Sequence, residues 1–192
     1  MTTRVLTVHS RRRFRVMLVM CILSAYSWFA DTMFGRMDEG GYVSLASINC
    51  LIFICFISWD VYQMTLSTNH AVLYRTDLMA HHVIALASYA LMVQRIPLLG
   101  SRILIGECLS LMNSHLNDKH LRRYRMFVLL AMRFPMWIYF AFYYNIALYV
   151  SNATYHRVSG VFFSSCLFAI GYDSVVLWKC VNADKTKVVK AS

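Results

Sequence analysis

Apolar residues along this chain fall in six long blocks, at about 16–34, 43–59, 78–94, 98–116, 126–150 and 158–181. Short polar stretches separate them. A helix crosses the hydrocarbon core of a bilayer with about 20 mostly apolar residues. The blocks are therefore read as spans, and short connections make neighbouring spans antiparallel. The pattern predicts an all-α fold, a polytopic membrane helix bundle with six transmembrane helices. A basic segment, 1–15, would precede the transmembrane domain, 16–181, and a short tail, 182–192, would follow it. Neither an internal repeat nor a low-complexity tract interrupts the pattern. The first block has a basic flank like that of a signal peptide. It is too long for one and lacks a clean small-x-small cleavage site, so a retained helix is expected.

Composition supports this class. Hydrophobic residues make up 59% of the chain and charged residues 15%, where a soluble domain carries about 25% charged residues. The formal net charge of +10 does not point to nucleic acid, because the basic residues cluster between the apolar blocks. They also alternate by side. Fourteen Lys and Arg fall in the N-terminal stretch, around Arg75, in the 119–125 connection and from Lys179 onward. The other side carries four, Arg36, Arg95, Arg102 and Arg157. The positive-inside rule then places both termini in the cytosol. An N-glycosylation sequon at Asn152-Ala153-Thr154 falls in a connection assigned to the opposite side. The six cysteines lie in or beside apolar blocks with no Cys-x-x-Cys pair, and read as small buried hydrophobes.

Ionisable groups inside spans are costly and mark pathways, sites or buried pairs. Counting about 1.5 Å per residue, Glu107, Arg133 and Asp173 lie roughly 11–14 Å below the cytosolic face. His81 and His82 lie shallower, at about 5–7 Å. His115 and Asp60 would line an entrance. One reading is a buried ion pair, Arg133 with Glu107 or Asp173, that fixes helix packing, with Glu107 and Arg133 expected at similar depth on facing helices. The other is a polar cavity opening to the cytosol around the two histidines. Adjacent residues diverge by about 100° on a helix, so only one histidine would face it squarely. Pro135, two residues after Arg133, should bend its helix. The aromatic run 137–144 covers every face of that helix. No metal set is expected.

In order along the chain stand Ser58-Trp59-Asp60-Val61-Tyr62-Gln63-Met64, Arg75-Thr76-Asp77-Leu78-Met79-Ala80-His81-His82, Glu107-Cys108-Leu109-Ser110-Leu111-Met112-Asn113, Arg133-Phe134-Pro135 and Trp178. In that order, over about residues 43–181, the chain resembles the TLC-domain family. That family groups the translocating-chain-associated protein, the ceramide synthases, a ceroid-lipofuscinosis protein and several small TLC-domain proteins. The chain lacks the further His-Asp pair and the homeobox-like extension of the ceramide synthases. It is more similar to the small members. The resemblance implies lipid homeostasis, sensing or transport. Asp60, Asp77, Glu107, Asn113 and Arg133, which stand in these segments, and Asp173, from its depth in the last span, are the candidate ligand-binding residues.

The first functional expectation is thus a lipid-handling membrane protein with a cytosol-facing polar cavity. The alternative is an acyl-CoA-dependent lipid acyltransferase, with His81 or His82 as catalytic base and acyl-CoA as co-substrate; no other cofactor is expected. A cargo or translocation factor is the third, although the short loops offer little to a client. Membrane lipids are the expected partners. Nucleic acid is not, and a homodimer is open. The endoplasmic reticulum or another endomembrane is favoured over the plasma membrane.

Overall fold

A computed structural model describes residues 2–29, 44–107, 119–151, 156 and 159–182. These are 93% helical and contain no strand. Four helices are long and apolar enough to cross a membrane: Leu45–Thr65, Thr76–Gln94, Arg123–Ala147 and Ser159–Asn182. They correspond to the second, third, fifth and sixth of the apolar blocks. The first and fourth blocks run on into residues outside the description, so the structure supports four spans rather than the full six. By its internal contacts the chain divides into two compact units, residues 1–114 and 115–192.

The first unit begins with α1, Thr2–Ser27. This helix starts inside the basic segment that sequence alone set apart from the spans. It is followed by α2, Leu45–Thr65, the single turn α3, His70–Leu73, and α4, Thr76–Arg95. Last comes α5, Pro97–Ile103, which tightens into a 3₁₀ turn at Leu104–Glu107. Local chemistry sets several ends. Ser44 caps α2, its hydroxyl accepting from the Ser47 amide at 3.2 Å, as N-cap serines do. Pro97 opens α5 at a position where its missing N–H costs nothing. Asp77 lies in the first turn of α4, where a negative charge suits the helix dipole.

Small and polar side chains join these helices alongside a buried apolar core that includes Met20, Phe53, Ile57 and Leu104. Asn49 is fully buried. Its amide donates to the Ser101 hydroxyl at 2.9 Å and to the Met20 carbonyl at 3.4 Å, tying α2 to α5 and α1. Ser24 donates to the Arg102 carbonyl at 3.1 Å, and Arg102 Nε returns a bond to the Ser27 carbonyl at 3.1 Å. Tyr89 of α4 donates to the Gly100 carbonyl at 3.1 Å. A Cβ on Gly100 would stand 2.8 Å from Cys50 Sγ, so this glycine permits α5 to approach α2. Close packing through Ser, Gly and Asn is the usual device where lipid removes any hydrophobic drive between helices.

The second unit has one continuous helical run and a second long helix. The run is α6, Lys119–Val128, a π turn at Leu129–Arg133, α7, Phe134–Ile138, a second π turn at Tyr139–Tyr144, and α8, Asn145–Ser151. Ser159–Asn182 forms α9. Where a bend is expected at Pro135, the helix carries its first π turn immediately before it. Proline has no N–H to return to the carbonyl four residues back. The ladder shifts its register just before it, with the Phe134 amide reaching back five residues to the Leu129 carbonyl, the signature of a π bulge. The aromatic run then divides by face: Trp137 and Phe140 are buried, while Tyr139, Phe142 and Tyr143 are exposed.

Candidate functional site

Two buried polar clusters stand out, one in each unit. In the first unit Asp60 of α2 is 0% exposed. His82 of α4, 2% exposed, places Nε2 2.7 Å from Asp60 Oδ2. From α1, His9 Nε2 lies 3.0 Å from Oδ1 and Arg13 lies 3.7 Å from Oδ2. The His9 contact is close, although not aligned as a hydrogen bond. His9 also stacks on Trp59, ring centres 5.3 Å apart. Three helices thus converge on one carboxylate. Asp60 was expected at an entrance; it is instead sealed, because α2 continues to Thr65 and α1 covers it. His9 and Arg13 went unnoticed in the sequence. Their four-residue spacing on a helix puts both on one face, which is the signal that marks them in retrospect.

A carboxylate accepts from Nε2–H, so in the neutral ring Nδ1 carries the lone pair. Among the described residues Nδ1 of His82 is buried with no hydrogen-bond partner. An imidazole oriented by a carboxylate, with its second nitrogen uncommitted, has the form of a general base. Here that nitrogen is sealed from solvent. His81 diverges as helical geometry requires: it is half-buried, its ring centre 5.6 Å from that of His82. The sequence places the histidines beside a cavity shared with Glu107, Arg133 or Asp173; within the first unit His82 is hydrogen-bonded to Asp60.

In the second unit Arg133 and Asp173 are paired, which is one of the two pairings the sequence allowed. Arg133 Nε donates to Asp173 Oδ2 at 2.7 Å. Trp137 Nε1 donates to the same oxygen at 2.9 Å, and the guanidinium lies 5.5 Å over the Trp137 ring. Arg133 is 5% exposed and Asp173 2%. Sequence reasoning missed Trp137 as a polar partner, although it follows Arg133 by four residues. The remaining candidates are dispersed. Asp77 bonds Arg75 at the surface, at 2.8 and 3.3 Å. Such exposed pairs contribute little. Glu107 is half-buried at the end of the 3₁₀ turn. Asn113, His115 and the Asn152 sequon lie outside the described residues. Among the described residues no three His, Cys, Asp or Glu side chains converge as a metal set.

Beside the Asp60 cluster runs an apolar groove of about 700 Å³ between α1 and α2. Ile48, Leu51, Ile52 and Phe56 of α2 and Val16 of α1 form its walls. Arg12, Arg15 and Trp59 border it at one end. Trp59 is shared, since it also stacks on His9. Cys55 lines the groove and is exposed, against the expectation of burial; Cys21, Cys50, Cys166 and Cys180 are buried. No protein family, no curated protein and no solved structure matches the chain.

Proposed function

We propose that this chain is a multi-pass membrane protein of lipid homeostasis, sensing or transport, akin to the small TLC-domain proteins. It has six spans, both termini in the cytosol, and resides in the endoplasmic reticulum or a related endomembrane. The observation that carries the reading is the groove between α1 and α2. It is large, apolar along its length and basic at one end, which is the profile of a site for a lipid. The Asp60 cluster serves as the fixed point that seats the basic half of α1 against α2 and α4. Arg133 and Asp173 do the equivalent for the helices of the second unit. The test is lipid mass spectrometry on the purified full chain, paired with lipidomics of cells with and without it. The reading expects a copurifying lipid that Ile52→Trp, which fills the groove, removes. Lipid content unchanged by Ile52→Trp would overturn it.

The second reading is an acyl-CoA-dependent acyltransferase, favoured by the orientation of His82 by Asp60. Loss of a general base lowers a rate by about 10²–10⁴-fold. On this reading the purified protein consumes acyl-CoA and His82→Ala does not. The sealed Nδ1 argues for the first reading, because a base must reach the proton it removes.

A further inference from the structure

The basic residues of α1 are not one solvated run. Arg13 turns toward Asp60. Arg12 and Arg15, three residues apart and so on one face, are exposed and border the groove. Neither is in an ion pair with any described residue. Below them the apolar wall extends from Trp59 to Ile48 of α2. Eleven residues of helix rise about 16 Å, close to half of a hydrocarbon core of about 30 Å. The groove therefore has the length of one leaflet and, at its polar end, two guanidinium groups in no ion pair with a described residue. Guanidinium forks suit phosphate and carboxylate oxygens bidentately.

From this geometry we infer that the groove is a site for an anionic phospholipid of a single leaflet, its headgroup on Arg12 and Arg15 and an acyl chain along Leu51, Ile52 and Phe56. Trp59 is the shared wall between that lipid and His9 of the Asp60 cluster. The inference rests on the lipid-handling reading and adds the headgroup class.

The test is competition on the full chain in mixed micelles, with native mass spectrometry counting bound phosphatidylserine against phosphatidylcholine. The wild-type protein should retain phosphatidylserine preferentially. A basic side chain at a membrane surface contributes about fivefold to association with anionic lipid. R12Q/R15Q should therefore lower the preference by about 25-fold while keeping some bound lipid. R12K/R15K should restore most of it, and Arg11→Gln, which lies outside the groove, should leave it intact. An equal loss in Arg11→Gln would mean diffuse surface charge and would overturn the inference. Displacement of the phospholipid by palmitoyl-CoA at equal concentration would overturn it too. Lipid retained without headgroup preference defeats this inference and leaves the lipid-handling reading standing. No lipid retained in wild type, and none lost on Ile52→Trp, defeats both.

Discussion

Asp60→Asn should destabilise the first unit more than its change of one atom would imply. The carboxylate is wholly buried, and its bond to His82 Nε2 is 2.7 Å long. A hydrogen bond to a charged group contributes about 1.5–3 kcal/mol. Arg13 stands 3.7 Å from the carboxylate and the His9 contact is not aligned as a hydrogen bond, so each adds less than the His82 bond does. The expected loss is about 2–4 kcal/mol, overlapping the lower part of the range of about 3–5 kcal/mol for breaking a buried pair from one side, because the amide oxygen of the Asp60→Asn variant can still accept from His82. The assay is reversible unfolding of the full chain in mixed micelles, followed by Trp fluorescence. A double-mutant cycle isolates the pair: Asp60→Leu and His82→Leu should each be costly, and the double variant should recover at least about 1 kcal/mol of their sum. Limited proteolysis should also cut within residues 9–13 of Asp60→Asn and spare the wild type, because α1 loses its anchor. Additive single effects, or an Asp60→Asn variant within about 0.5 kcal/mol of wild type, would refute the reasoning.

Two further perturbations test the packing. Arg133→Met leaves the buried Asp173 without its guanidinium partner, and should cost about 3–5 kcal/mol; R133M/D173L should recover most of that, and unchanged stability of Arg133→Met in detergent would contradict the pairing. Gly100→Ala forces a methyl against Cys50 Sγ and should cost about 1–3 kcal/mol, part of which Cys50→Ala relieves; a neutral Gly100→Ala would show that α5 yields there.

Much of the helical frame is legible in the sequence. The blocks at 78–94, 126–150 and 158–181 are close to the observed helices, because each is a long apolar run with polar ends. The start of α1 was not legible. Hydropathy sees Arg11 to Arg15 as a flank, whereas the helix continues through them since His9 and Arg13 reach Asp60 across the fold. The end of α2 was placed at 59 for the same reason: Asp60 looks like a boundary when its partners are unknown. The clusters were half legible. Asp60, His82, Arg133 and Asp173 announce themselves as ionisable residues in apolar blocks. Their pairing depends on which helices are neighbours, and that is tertiary information. Trp137 hid within an aromatic run, since composition does not distinguish an indole that donates from one that packs. The groove has no sequence signature at all, because its walls are ordinary aliphatic residues on two helices separated by residues 28–44.

The most direct test of the central claim, that a lipid occupies the groove of α1 and α2, is photocrosslinking in membranes with a phospholipid carrying a diazirine midway along one chain. Labelled peptides are then mapped by mass spectrometry. The account predicts saturable labelling concentrated on Leu51, Ile52, Cys55 and Phe56, suppressed by unlabelled phosphatidylserine and lost in Ile52→Trp. Labelling spread evenly over exposed apolar residues such as Ile22, Val83, Leu167 and Val175, with no saturation, would contradict it.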